Sequence, residues 1–375
     1  MINKLTMLEN FEVQDKDKLL TPGLLVFPDR VQHNIDAMIE LAGGANRLMP
    51  HVKTHKMSSV IKLQMAAGIR QFKCATLAEK KLLIKCKVNR ILLAHQPTKE
   101  KLIPFLNWQI KYPEIGFSTL VDNLDSLKLF SDLAKEKGVK IKLWIDLNNG
   151  MNRTGIVPEK AMELHRAIEQ DSQVEFQGLH VYDGHIRPLD LQERISKCDA
   201  AFDSVSVLIN QIESSGGSIP EIITGGSPSF YPHALRKNSL LSPGTTLLWD
   251  LGYKKIWKES PFLNAAVLIT RLISKPNANT LCFDLGHKAV ASEMPLPRVE
   301  ILGLENAIHK GQSEEHLMLT YEHENDFKVG DLFYAIPYHI CPTVAKYNRA
   351  YAIEKGIHTG FWDIEARDYQ IDLEG

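Results

Sequence analysis

At 375 residues the sequence is longer than one ordinary hydrophobic core accommodates, so two domains or a barrel with an appendage are expected. With 44% apolar and 24% charged residues and a formal net charge of −1, it reads as globular, with no electrostatic reason to bind nucleic acid or an acidic membrane. No apolar run is long enough to cross a bilayer, Met1-Ile-Asn-Lys-Leu lacks a signal-peptide core, and five scattered cysteines contain no C-x-x-C pair. A cytoplasmic protein with reduced thiols is the expectation.

Residues 1–20 are polar and weakly patterned, and are expected to form an N-terminal arm packing on the C-terminal part of the protein. Residues 24–27 read as a buried strand. A helix follows to about Ala42, with Val31, Ile35, Met38 and Ile39 on one face, and Gly43-Gly44 ends it. A strand then runs into Lys53, and a helix covers about 58–67. Strand-like runs at 72–75, 91–94, 116–121, 141–146 and 176–181 each precede a helix, at about 77–86, 99–111, 124–137, 158–170 and 190–214. Runs at 221–224 and 241–248 complete the series.

About eight strand–helix units at this spacing predict an α/β fold, a (β/α)8 TIM-type barrel over 21–255. An open doubly wound sheet is the alternative, and the absence of G-x-G-x-x-G after the first strand weakens its dinucleotide-binding form. Beyond residue 255, short runs at 265–269, 281–283, 299–302, 318–320 and 332–336 with no long helices between them predict a C-terminal β domain over 256–375.

Functional side chains of such barrels stand at the C-terminal strand ends and in the loops that follow. Lys53, in Pro50-His-Val-Lys-Thr-His-Lys56, stands at one of them, where partial desolvation makes an amine nucleophilic. A solvated basic loop is the plainer alternative. Arg153, in D-L-N-N-G-M-N-R-T-G, follows a second strand, and His180 and Tyr182 follow a third. Thr224, Gly225, Gly226 and Ser227, with Gly244 and Thr245, offer close backbone approach and hydroxyl donors, the makings of a phosphate cradle, though Gly-Gly-Ser is also an ordinary turn. A phosphate cradle within reach of a nucleophilic lysine points to pyridoxal phosphate. Its aldehyde needs the amine, and its ring needs a flat neighbour such as His180 or Tyr182, with Arg153 at the ring hydroxyl. Arg153 as a structural ion-pair partner and His180 as a satisfied core histidine are the alternatives.

A second signal is Pro337-Tyr-His339-Ile-Cys341-Pro-Thr343. In extended backbone the H-x-C spacing places both side chains on one face, so imidazole and thiolate converge on one cation. That pair favours zinc, with manganese or magnesium as alternatives, and leaves metal positions open. A buried structural cysteine is the competing reading.

Together these motifs resemble the fold-type III (alanine racemase-like) pyridoxal phosphate enzymes, and within them the D-threonine aldolase and D-serine dehydratase family. The resemblance runs through P-H-V-K-T-H-K (50–56), D-L-N-N-G-M-N-R-T-G (146–155), T-G-G-S-P (224–228), S-P-G-T (242–245) and H-I-C-P-T (339–343). It implies that Lys53 is the Schiff-base lysine and that Arg153 contacts the ring hydroxyl. It also implies that Gly225, Gly226, Gly244 and Thr245 lie in the phosphate loops, and that His339 and Cys341 are the metal pair. A homodimer with shared active sites is implied too.

The activity implied is a metal-dependent lyase on D-3-hydroxy amino acids, taking D-serine to pyruvate and ammonia or D-threonine to glycine and acetaldehyde. Cys341 tips the reading toward dehydration, because the aldolases tend to read H-x-D. Ser242 stands where alanine racemases carry an arginine against the pyridine nitrogen, and no second catalytic tyrosine is apparent. A single base, Lys53, suits an enzyme for one enantiomer. Amino-acid racemase and a non-catalytic cofactor carrier are the competing readings; carriers usually end with the barrel. Glu315-His316 resembles a pair found ahead of the metal motif, without an assignable role.

Overall fold

The computed structural model describes residues 11–373. The strands in sequence order are β1 (Gly23–Val26), β2 (Gln71–Cys74), β3 (Arg90–Leu93), β4 (Gly116–Val121), β5 (Ile141–Leu147), β6 (Val174–Val181), β7 (Glu221–Thr224) and β8 (Leu240–Leu241). They continue with β9 (Ala266–Asn277), β10 (Thr280–Phe283), β11 (Val299–Ile301), β12 (Ile308–Gln312), β13 (Leu317–Thr320), β14 (Leu332–Pro337), β15 (Arg349–Glu354) and β16 (Ile357–Asp363). The protein divides into two compact units. Among the described residues, one takes Asp36–Lys53, Ile61–Gly244 and 368–373. The other takes 11–35, Thr54–Val60 and Thr245–Arg367.

In the first unit β2 to β8 pair in sequence order, all parallel. The stretch before Lys53 closes the ring between the outer strands: Leu48 bridges Leu241 and His51 bridges Lys73. Met49 N donates to Leu241 O at 2.8 Å, and Val52 N to Lys73 O at 2.9 Å. This is the predicted barrel, with 48–52 as its eighth member. Met49, Leu92, Leu120, Trp144 and Ile223 pack together as one buried cluster. Between strands, helices begin and end on local signals. Asn123 caps Leu124–Lys137 by accepting from Ser126 N, and Gly138, at φ +68°, ends that helix in the left-handed region. Thr76 caps Leu77–Lys85, and Asp190 caps Leu191–Ser214, in the same manner.

In the second unit the sheet order is β12-β13-β10-β9-β1-β15-β16, with β14 on β9 and β11 on β14. All pairings are antiparallel except β1 with β15. Here the expectation that the barrel begins at residue 21 needs correcting: β1 is a strand of this sheet, between β9 and β15. The four residues Gly-Leu-Leu-Val are all buried, and a run apolar on both faces suits the centre of either sheet. Phe11, Val13 and Leu19 pack in the same core as Leu25, Tyr334 and Ile336, and Val13 N donates to Tyr334 Oη at 3.0 Å. Residues 1–10 of the expected arm lie outside the described residues. No helix of the described residues is long and apolar enough to cross a membrane.

Candidate active site

A cavity of about 540 Å3 opens in the parallel-sheet unit at the C-terminal ends of β2 to β6. Lys53, Lys73, Asp146, Arg153, His180 and Tyr182 are among the side chains that line it. Three cationic groups surround one ring: Lys53 Nζ and Lys73 Nζ each lie 5.8 Å from the Tyr182 centroid, and Arg153 Cζ lies 5.0 Å from it. Lys73 is buried, and its Nζ lies 3.3 Å from His180 Nε2. Burial, then repulsion from Lys53, pulls the Lys73 amine down to about 7 despite the carboxylate of Asp146. His180 Nδ1 donates to Asp146 Oδ1 at 2.7 Å, so Nε2 is the acceptor toward Lys73. Burial and then Lys73 hold His180 below the ordinary imidazole range. For Asp146 burial acts upward, but the hydrogen bond and charge of His180 prevail and hold the carboxyl low.

The two histidines beside Lys53 have a local task. His51 Nδ1 accepts from Lys53 N at 3.2 Å, and His55 Nδ1 accepts from Met57 N at 3.1 Å. Each bonds the amide two residues on, so the motif folds itself into consecutive turns. Lys53 is thereby held just past the closing strand.

The glycine loop after β7 is tight. Gly225 has φ +64°, and a Cβ there would lie 2.7 Å from His233 Cδ2 and 2.8 Å from Ser229 Oγ. A Cβ on Gly226 would lie 2.8 Å from Tyr182 Cε2. Ser227 Oγ accepts from Gly244 N at 3.2 Å, so the loops 224–228 and 242–244 are joined directly. Thr224 Oγ1 is buried with no hydrogen-bond partner. Ser242 Oγ donates to Met49 O at 3.0 Å, so the residue in the racemase arginine position is tied to the backbone.

Behind this loop, Asp183 is fully buried between two donors. His233 Nε2 donates to one carboxylate oxygen at 2.6 Å, and Ser229 Oγ to the other. Burial acts upward on Asp183, and the His233 charge outweighs it and holds the carboxyl low. Asp183, Cys198 and His233 are mutually close enough to hold a cation, the one such group among the described residues. Burial, with Asp183 beside it, pushes the Cys198 thiol far above its ordinary range, and Arg236 Nε donates to His233 Nδ1 at 3.2 Å. A protonated thiol and a histidine already bonded on both nitrogens favour a hydrogen-bonded buttress.

The second unit contains the other candidate pair. His339 precedes the short helix Ile340–Val344, and Cys341 lies within it. The expected extended H-x-C is therefore a helix start, and the two side chains meet by hydrogen bonding across its first turn. Thr54 Oγ1 and Thr245 Oγ1 lie 3.2 and 3.3 Å from Cys341 Sγ. The Thr245 hydroxyl, expected in the phosphate cradle, is directed to this sulfur. Burial acts upward on the Cys341 thiol, but the hydrogen bond and charge of His339, with the Thr245 hydroxyl, outweigh it and hold the thiol below its ordinary range. For His339 burial acts downward, and the Cys341 sulfur and Glu293 carboxylate overcome it, raising the imidazole to about 9. Glu315 pairs with Lys288.

Lys53, Arg153, His180 and Tyr182 thus share one cavity, Thr224 to Ser227 and Gly244 form one joined loop pair, and His339 and Cys341 converge. The sequence did not single out Lys73, Asp183 or Glu293. For Lys73 a signal existed: barrel strands are buried on both faces, so a lysine inside the run Phe72-Lys-Cys is anomalous.

The same two-part construction recurs in known proteins. The family model described as "Alanine racemase, N-terminal domain" matches residues 26–250, and a serine dehydratase domain model matches 265–353. The 3-hydroxy-D-aspartate aldolase of Paracoccus denitrificans (strain Pd 1222) is 23% identical over 368 residues, spanning 94% of this protein and 93% of the relative. Among solved structures, D-threonine aldolase from Filomicrobium marinum superposes with a TM-score of 0.87 at 22% identity, covering 95% of this protein and 98% of that one. D-threo-3-hydroxyaspartate dehydratase from Delftia sp. HT23 gives 0.80 at 20%, covering 92% and 98%. A cysteine-to-alanine mutant of a D-threo-3-hydroxyaspartate dehydratase has also been solved in a metal-free form. The chain belongs to the alanine racemase-like, fold-type III family, in the form that joins the racemase N-terminal domain to a serine dehydratase domain.

Proposed function

We propose that this protein is a pyridoxal phosphate- and divalent metal-dependent lyase acting on D-3-hydroxy amino acids, with β-elimination as its reaction. The observation that carries the reading is the gathering of Lys53, Lys73 and Arg153 around Tyr182, against a glycine loop whose buried Thr224 hydroxyl lacks a partner. An anionic, flat, phosphate-bearing carbonyl compound answers each of those features. Lys53 would hold its aldehyde, Arg153 its ring hydroxyl, and Thr224, Gly225, Gly226, Ser227 and Gly244 its phosphate. The cofactor supplies an aldehyde for amines and an electron sink for the α-carbon. At His339 and Cys341 an imidazole and a sulfur would suit zinc, which would supply Lewis acidity when bound.

Lys53 Nζ is the group placed to take the α-proton of the D-amino acid. His180, neutral and fixed by Asp146, is a rigid wall of the cavity. Loss of the α-proton and the β-hydroxyl removes water and leaves an enamine, which hydrolyses to a 2-oxo acid and ammonia. Cleavage of Cα–Cβ to glycine and an aldehyde is the second reading, favoured by the full-length likeness to a 3-hydroxy-D-aspartate aldolase. The working form we propose is a cytoplasmic homodimer; light scattering of the purified protein tests the dimer.

Purified protein supplied with pyridoxal phosphate and zinc would be offered D-serine, D-threonine and D-threo-3-hydroxyaspartate, with a chelator control. A 2-oxo acid plus ammonia, abolished by chelation, supports elimination. Glycine plus an aldehyde replaces it with the aldol reading, and deuterated, inverted amino acid from heavy water replaces both with racemisation. A coloured but inert protein would return the carrier reading.

A further inference from the structure

Glu293 lies 46 residues before His339 in sequence, and its Oε1 accepts from His339 Nδ1 at 2.5 Å. A carboxylate that holds Nδ1–H leaves Nε2 as the ring nitrogen able to give up its proton and offer an electron pair to a metal. Neighbouring contacts fix the backbone on both sides of this pair. Thr343 Oγ1 donates to His339 O at 2.8 Å and accepts from Ala291 N at 3.1 Å. One hydroxyl therefore ties the segment leading to Glu293 to the short helix that carries Cys341. Asp250 Oδ2 accepts from Ile340 N at 3.0 Å, which pins the residue between His339 and Cys341. An ordinary surface ion pair contributes little and needs no such scaffold.

We infer that Glu293 is a positioning residue of a metal site: its carboxylate orients His339 so that Nε2 faces a divalent metal shared with the Cys341 sulfur. The inference rests on the metal reading of His339 and Cys341. A carboxylate behind a ligating histidine sets the tautomer, fixes the ring and raises its basicity, and losing it typically weakens metal binding 10–100-fold.

The test is zinc affinity of the full-length, cofactor-loaded protein, by competition with a chromophoric chelator, together with the thiolate-to-metal absorption of the cobalt(II) form. The unsubstituted protein is expected to bind one zinc per subunit, and Cys341→Ala to lose the cobalt–thiolate band. Glu293→Ala is expected to keep one metal and the band while weakening zinc about 10–100-fold. Glu293→Gln, which keeps an acceptor without the charge, should lose less. Unchanged affinity in both Glu293 variants would overturn the inference, leaving a surface ion pair. Loss of all binding in both, with native circular dichroism, would also overturn it, because Glu293 would then be a ligand itself. If the unsubstituted protein binds no zinc or cobalt, the underlying metal reading fails, and the inference with it.

Discussion

Lys73 Nζ stands 3.3 Å from His180 Nε2, while the other nitrogen of that ring is bonded to Asp146 Oδ1 at 2.7 Å. The three residues form a buried relay whose amine end faces the cavity. Folding lowers the Lys73 pKa from 10.5 to about 7, chiefly by burial. Between those values the unfolded state carries a proton that the folded apoprotein does not. Stability linked to this amine is therefore present above 10.5 and is lost as pH falls to about 7. Lys73→Met should flatten the rise in urea midpoint of the apoprotein across that window. An identical pH slope in the variant would show that Lys73 ionises as it does in the unfolded state.

Two lysines lie equally far from the Tyr182 ring, so the assignment of the cofactor lysine is open to direct trial. Borohydride reduction of the loaded protein followed by peptide mapping is expected to find the cofactor on Lys53. Lys53→Ala should lower turnover by about 100-fold or more, as expected when a proton-transferring group is removed. Label on Lys73 would transfer the role.

The unpartnered Thr224 hydroxyl predicts opposite effects on two measurements. Thr224→Val removes a buried polar group that the protein itself leaves unsatisfied, so apoprotein stability should be unchanged or higher. The same change should weaken pyridoxal phosphate binding roughly 10-fold or more, the value of one hydrogen bond to a charged group. Parallel loss of both would mean that the hydroxyl supports the fold.

Asp183 has its folded carboxyl held below the ordinary range, the His233 charge outweighing burial. Its stabilising contribution is therefore present above that range and lost as pH falls through the lowered folded value. Asp183→Asn replaces one accepting carboxylate oxygen with an amide donor, so His233 Nε2–H or the Ser229 hydroxyl loses its buried acceptor, which should cost about 1–3 kcal/mol, read from chemical denaturation. It should also loosen the glycine loop, since Ser229, which bonds Asp183, accepts from Gly226 N at 3.3 Å.

Much of this was legible in the sequence because most of the barrel helices announce themselves, though the short Phe230–Ala234 does not. Apolar periodicity and a glycine stop such as Gly43-Gly44 are local signals, and the caps that the structure shows at Thr76, Asn123 and Asp190 are local too, so local sequence fixes local structure. The strand at 24–27 misled because burial on both faces reads alike in a barrel and in a covered sheet. β12 and β16 carry too little apolar alternation to be seen: Ile308-His-Lys-Gly-Gln has one large apolar residue, and every residue of β16 is at least partly exposed. Lys53, the glycine loops and H-x-C could be named as motifs because each is short in sequence. The pairs His180–Lys73 and His339–Glu293 span 107 and 46 residues, and only tertiary folding brings them together.

β1 joins β9 to β15, and the β15–β16 hairpin is connected to the rest of its sheet through β1 in the strand order. Leu25 pairs with Tyr351, a separation of 351 − 25 = 326 residues. On the ribosome, at roughly 5–20 residues per second, the first strand therefore waits about a quarter of a minute to a minute before its parallel partner exists. Until then an apolar four-residue segment has at least one unoccupied edge, and both until β9 is made, so the unit that contains it cannot be completed from either half of the sequence. Expression of this protein should depend on what shelters that strand during synthesis, and a fragment ending before residue 349 would carry the same exposed edge permanently.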